Sequence, residues 1–298
     1  MQFGFTCLQC LIAMQLRRIP EEADSAKKLA CAKELLRIIT DAPEGVAAPW
    51  VIPHCNAAIR KWFGGPEDPL LALKQTSGAI MLERLPAIRE RVLQSEDPLH
   101  ASLLYCRVGN YIDFGALGES LSFDRLDEML AAAEETPLDE TEYAHLREDL
   151  SHAENLLYMA DNAGEIVLDR LTLEILRQEY PALEITLCVR GGPALNDALR
   201  EDAIQAGADA FARIIDNGSA IPGTEPDYLG DEARQAMAKA DVILAKGQGN
   251  LETLLGCGHN IYYLFLCKCS HFTELFGVPA MTGMLLNERR VTTANFLR

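Results

Sequence analysis

Positive charge is scarce in this chain. Its 298 residues include 27 lysines and arginines against 44 aspartates and glutamates, for a formal net charge of -17. So acidic a protein is repelled by phosphate backbones and anionic bilayers, and neither nucleic acid nor a membrane is expected as a partner. Long apolar runs are missing as well, and no stretch is long enough to cross a bilayer. Met1 to Gln15 is fairly apolar but has no basic leader and no small-residue cleavage site, so it reads as a buried helix or strand. The 6 histidines show no ligand spacing, with His54, His152, His259 and His271 isolated. There is no Walker spacing, no GxGxxG and no GxSxG elbow, which removes the commonest nucleotide-binding and serine-hydrolase readings. The 9 cysteines form no disulfide framework. An odd count without a secretory signal points to reduced thiols in the cytoplasm.

What is present suits a folded α/β protein. Hydrophobic residues make up 49% of the chain, enough for a substantial core. In the first hundred residues, Ala26, Leu29, Ala30, Leu35, Leu36 and Ile39 recur near helical spacing, as do Ile80, Leu82, Leu85, Ile88 and Val92. Residues 121 to 155 read as one or two amphipathic helices. From Leu156 the rhythm changes to short apolar runs between helical patterns: Leu156–Ala160, Glu184–Val189, Phe211–Ile215, Val242–Ala245 and Ile261–Leu266. That alternation predicts βαβ units, a mostly parallel sheet and an α/β core over 101–298, with a helical N-terminal part over 1–100.

The chemistry gathers just past the predicted strand ends. Asp161-Asn162-Ala-Gly164-Glu165, Arg190-Gly-Gly-Pro-Ala-Leu-Asn196-Asp197, Lys246-Gly247-Gln-Gly249-Asn250 and Cys267-Lys-Cys269 each follow an apolar run. Parallel strands bring all of these to one edge of the sheet, where open α/β folds put their sites. Asp161, Asn162 and Asp197 offer hard oxygen donors, which suit Mg²⁺ or Mn²⁺ better than zinc. The plainer alternative makes Asp161 and Asn162 caps of the following helix. In Lys246-Gly-Gln-Gly-Asn, the glycines let backbone amides approach an anion and Lys246 can pair with it; the plainer alternative is a tight turn with a solvent-facing lysine. Arg190 suits a phosphate, a substrate hydroxyl or one of many carboxylates. Glu165 suits a general base, a supporting group or a first-turn acid favoured by the helix dipole. Cys7-Leu-Gln-Cys10 has metal-ligand spacing and Cys267-Lys-Cys269 would complete a thiolate set, but idle buried thiols are the default expectation.

These residues resemble a family. Asp161-Asn-Ala-Gly-Glu-Ile-Val-Leu-Asp169, Arg190-Gly-Gly-Pro-Ala-Leu-Asn-Asp197 and Lys246-Gly-Gln-Gly-Asn-Leu-Glu252 together resemble the DUF89 family of metal-dependent damage-control phosphatases. Cys7-Leu-Gln-Cys10, Asp68-Pro69 with Lys74, and Gly109-Asn110-Tyr-Ile-Asp113 look like N-terminal signatures of its archaeal and bacterial branch. The resemblance implies a helical part on a three-layer core and hydrolysis of small phosphate monoesters, sugar phosphates or damaged metabolites, with Mn²⁺, Mg²⁺, Co²⁺ or Ni²⁺ as cofactor. It implies Asp161, Asn162 and Asp197 as metal ligands and catalytic residues. On the substrate side it implies Glu165 and Lys246, joined by Arg190, Gly247, Gly249, Asn250, Asn110 and Asp113. The eukaryotic branch's signature is not evident. Two other readings stand beside it: an S-adenosylmethionine-dependent carboxyl methyltransferase, and a non-enzymatic metabolite-binding or redox-sensing protein. The sequence does not set the oligomeric state.

Overall fold

The structure, a computed structural model, describes residues 4–109, 128, 130, 133 and 137–291. Each of the short apolar runs forms a strand: β1 (Asn155–Met159), β2 (Glu184–Val189), β3 (Arg213–Asp216), β4 (Val242–Lys246) and β5 (Ile261–Cys267). These strands are parallel neighbours in the order β3-β2-β1-β4-β5, and a further strand, β6 (Thr282–Asn287), closes the β5 edge antiparallel. Parallel strands covered on both faces need apolar side chains at nearly every position, which is why β1, β4 and β5 read as nearly unbroken hydrophobic runs. The edge strand β3, by contrast, begins at Arg213 and ends at Asp216.

The helices are α1 (Phe5–Arg17), α2 (Ser25–Thr40), α3 (Val51–Phe63), α4 (Leu71–Leu93), α5 (Pro98–Gly109), α6 (Glu140–His152), α7 (Ile166–Glu179), α8 (Arg200–Gln205), α9 (Asp231–Lys239), α10 (Gly247–Leu254) and α11 (Ser270–Phe276). Alternate residues of β1 serve the two faces of the sheet. Leu156, Tyr158 and Ala160 join a cluster with Met81 and Val92 of α4, Leu103 and Leu104 of α5, and Leu168 and Leu171 of α7. Leu157 and Met159 join the opposite cluster, with Met237 of α9, Leu254 of α10 and Phe272 of α11. The result is the expected three-layer α/β sandwich.

The N-terminal helices α1, α2 and α3 enclose a core of their own around Leu11, Leu35, Ile39, Val51 and Cys55. Local sequence explains the entry to α2: Asp24 Oδ1 accepts from the amides of Ala26 and Lys27, satisfying two orphan donors of the first turn. The next helix, α4, packs with the sheet: its Met81, Ile88 and Val92 belong to the cluster on one face of it. Arg89 of α4 donates to Glu174 of α7 at 3.0 and 3.1 Å and fastens that helix to the core. The apolar N-terminal stretch is less buried than its composition suggests. In α1 only Leu11 and Gln15 are buried, and Phe5 is 74% exposed.

Candidate active site at the β1–β4 crevice

The strand order reverses at β1, which has β2 on one side and β4 on the other. Met159 lies level with Cys188 of β2 and Ala245 of β4, so the segments that follow leave the sheet together. A crevice at the carboxyl ends of such strands is the general ligand position of open α/β folds. The loop after β1 runs against the loop after β2: the Ala198 amide donates to the Asp161 carbonyl at 2.7 Å and the Ala163 amide to the Asn196 carbonyl at 2.9 Å. Between these bonds Asn162 and Asp197 form an isolated antiparallel bridge. Asp161, Asn162 and Asp197 are thereby brought side by side, all buried.

Neither Asp161 nor Asn162 caps α7. The residue at its N-cap is Glu165, which makes no side-chain capping bond. Asn162 Nδ2 instead donates to Asp161 Oδ2 at 2.9 Å and to Glu165 Oε2 at 3.2 Å. Arg190, at the end of β2, donates through Nε to Asp197 Oδ2 at 2.6 Å and through Nη1 to Thr224 Oγ1 at 3.3 Å. Its Nη2 lies 3.9 Å from Asp161 Oδ1 and makes no hydrogen bond. Asn196 Nδ2 is a second buried donor with no protein acceptor among the described residues. Sequence reasoning placed Asn196 in a motif without giving it a role, and nothing but its tertiary position singles it out.

The glycine-turn residues do something other than expected. Lys246 is fully buried, so the solvent-facing reading fails. Its ammonium is ion-paired to Glu165 and to Asp169, 2.9 Å away, and lies 3.5 Å from the Cys106 carbonyl. Its contacts are with protein groups, two carboxylates at the start of α7 and one carbonyl of α5. Burial alone would lower its pKa, but Asp169 and Glu165 outweigh burial and leave it raised, so it is a cation. Asn250 is likewise committed: Nδ2 donates to the carbonyls of Ala160 and Lys246 at 3.1 and 2.7 Å, and Oδ1 accepts from Thr224 at 2.8 Å. It braces the β1 and β4 ends. Gly247 has φ +79, and a Cβ there would overlap the Asp161 carboxylate. Gly249 packs less tightly, since a Cβ there would lie 3.3 Å from the Gly223 amide, but a Cβ on Gly223 would overlap the Gly249 carbonyl. These glycines allow close approach of the chain to itself. Asn110 and Asp113 lie outside the described residues.

The electrostatics fit a cation. Asp161, Asp197, Glu165 and Asp169, all buried, face Arg190 and Lys246, with Lys268 also acting on Asp161, so carboxylates outnumber cations. Burial, then Asp197 and Glu165, push the Asp161 carboxyl well above its usual range. A divalent ion reverses the sign of that effect, since it stabilises the ionised form. Among the described residues no three His, Cys, Asp or Glu side chains form a metal group by themselves; the donor set here is two carboxylates and one carboxamide. Such a set leaves positions for water and a phosphate oxygen.

The thiols are a separate matter. All 9 cysteines are free. Burial raises the Cys7 thiol, and Glu252 and Cys269 add to it, so the N-terminal pair does approach the Cys269 turn.

Residues 5–282 match the family described as the damage-control phosphatase ARMT1-like domain. The chain belongs to this family. Among its relatives is a damage-control phosphatase of Pyrococcus horikoshii, 30% identical over 282 residues that cover 94% of this chain and 96% of that one. Another, from Archaeoglobus fulgidus, is 29% identical over 286 residues, covering 93% of this chain and 96% of its own length. The fold matches the crystal structure of a DUF89 family protein from Pyrococcus horikoshii with a TM-score of 0.82 and 25% identity, over 97% of this chain and 99% of that chain. The family expectation drawn from the Asp161, Arg190 and Lys246 motifs therefore holds, as does the α/β architecture. No helix among the described residues is long and apolar enough to cross a membrane.

Proposed function

We propose that this chain is a phosphatase that requires a divalent cation, Mn²⁺, Mg²⁺, Co²⁺ or Ni²⁺, and hydrolyses small phosphate monoesters such as sugar phosphates or damaged phosphometabolites. The observation that carries this reading is the meeting of Asp161, Asn162 and Asp197 beside two buried donors, Arg190 Nη2 and Asn196 Nδ2, that have no hydrogen-bond acceptor among the described residues. Family membership and the damage-control phosphatases among the relatives support it. Asp161, the Asn162 carbonyl oxygen and Asp197 are the ligand set. A divalent cation bound there supplies Lewis-acid stabilisation of charge on a phosphoryl oxygen.

The chain's own groups do the rest. Arg190 is locked by Asp197 and Thr224, so its Nη2 is aimed before substrate arrives and needs no reorganisation. It and Asn196 Nδ2 donate to the phosphoryl oxygens and hold the group in line for attack, while the leaving ester oxygen takes up the bonding pair and a proton from water. Water is the attacker this site favours, because the Asp161 carboxylate is already wedged between Asn162 and the Gly247 backbone. The turn after β1 is filled by this carboxylate–amide network and offers no glycine loop for S-adenosylmethionine.

Phosphate release from an ester panel, measured with each of the four metals, is the test. The expected result is turnover that disappears with EDTA and returns when the metal is restored. Undiminished turnover in EDTA would sink the metal requirement.

A further inference from the structure

Behind the crevice lies a buried polar string that the proposed chemistry does not use. Tyr158, in the middle of β1, donates its hydroxyl to Asp169 Oδ1 at 2.6 Å. The same oxygen accepts from Lys246 Nζ at 2.9 Å, and Lys246 also pairs with Glu165. Glu165 Oε2 in turn accepts from Asn162 Nδ2. Tyr158, Asp169, Lys246 and Glu165 are all essentially without solvent exposure. We propose that Asp169 and Tyr158 are positioning residues, which hold Lys246 in place so that Glu165 keeps the Asn162 carboxamide turned with its oxygen toward the ligand site.

Local geometry supports this directional reading. Glu165 and Asp169 are four residues apart at the start of α7, so their carboxylates share one helix face and repel. A single ammonium from the end of β4 lies between them. Its position is set by three acceptors on two elements: Glu165 and Asp169 at the start of α7, and the Cys106 carbonyl of α5. Remove Asp169, and the ammonium loses one side of this cradle and is drawn toward Glu165. Remove the Tyr158 hydroxyl, and Asp169 Oδ1 loses the donor that fixes it. Either change reaches Asn162 only through Glu165.

A merely stabilising role explains the cluster poorly. It buries two carboxylates against one ammonium, and Asp169 Oδ2 has no hydrogen-bond partner among the described residues. Replacing buried ion clusters by apolar packing is often neutral or stabilising, so stability alone is a weak reason to keep one. A group that orients a metal ligand is a better one, since partners of ligands typically matter 10–100-fold in metal affinity.

Mn²⁺ affinity of the intact chain, measured by calorimetry, tests the proposal in a double-mutant cycle. Asp169→Asn and Tyr158→Phe should each weaken Mn²⁺ binding on the order of 10-fold. Each should add nothing to the loss caused by Glu165→Gln, because both act through that residue. Tyr158→Phe keeps the ring in place, so it reports even if Asp169→Asn does not fold. Losses that add to that of Glu165→Gln, or an unchanged affinity beside a lowered melting temperature, overturn the proposal and leave a structural cluster. The proposal rests on the metal-site reading, and the two fail differently. A wild-type chain that binds Mn²⁺ but hydrolyses no ester refutes the phosphatase activity alone. One that binds no Mn²⁺ refutes both.

Discussion

Asp161→Asn lowers metal-supported phosphate release on the order of 10³-fold and at the same time raises the melting temperature of the EDTA-treated chain. The first half follows from losing a charged ligand and the charge stabilisation it brings to the reacting centre. The second half follows from electrostatics. Burial, Asp197 and Glu165 hold the Asp161 carboxyl above its usual range. A carboxyl that binds protons more readily in the folded state than in the unfolded one weakens the folded state above its unfolded pKa, about 3.9. Removing the charge therefore stabilises the metal-free chain at neutral pH. The gap between variant and wild type closes as pH falls toward the ordinary aspartate range. Added Mn²⁺ reverses the order, since a ligand at a hundred times its Kd stabilises the wild type by about 2.7 kcal/mol. Thermal melts at pH 5 and pH 7.5, with and without Mn²⁺, read all of this. A metal-free variant less stable than wild type at neutral pH would show that Asp161 is chiefly a structural residue.

Gly247→Ala is the other large effect. Two costs coincide at this position. The backbone has φ +79, a region where an L side chain is strained by about 1–2 kcal/mol, and the new Cβ would overlap the Asp161 carboxylate. Either the carboxylate moves or the β4–α10 turn does. A loss of about 2–4 kcal/mol in stability is expected, together with loss of Mn²⁺ binding. Gly207 provides the control: its φ is +75 and a Cβ there meets nothing within 4 Å. Gly207→Ala should carry only the backbone term, near 1 kcal/mol, and bind Mn²⁺ as the wild type does. Denaturant melts and Mn²⁺ titrations of the two variants separate the terms. Equal metal affinity in both would mean that the Gly247 contact is irrelevant to the ligand set.

The contrast between these glycines shows what sequence conveys and what it withholds. β1, β2, β4 and β5 were legible because a strand buried on both faces must be apolar throughout, and nothing else in the chain combines that pattern with such shortness. β6 was not, because Thr282–Asn287 is an edge strand, half-exposed and interrupted by Gly283 and Asn287, so it carries no apolar run. The site was legible as a set of strand ends. Asp161, Asn162 and Asp197 are conspicuous there because oxygen donors end apolar runs. The partners of Lys246 were hidden for the opposite reason. Asp169 reads as an ordinary first-turn acid of α7, and Tyr158 sits inside an apolar run, where a tyrosine reads as core. Asn196 and Thr224 look like loop residues. What gives each its part is a neighbour distant in the chain, such as Asn250, which accepts from Thr224 and braces the Ala160 and Lys246 carbonyls. Periodicity carries no trace of such contacts.

The most direct measurement is anomalous diffraction from crystals soaked with Mn²⁺ and inorganic phosphate. The expected result is a Mn²⁺ peak about 2–2.5 Å from Asp161, the Asn162 carbonyl oxygen and Asp197, with phosphate oxygens toward Arg190 and Asn196. A peak elsewhere, or an empty crevice with Arg190 and Asn196 turned to other protein groups, would contradict the account.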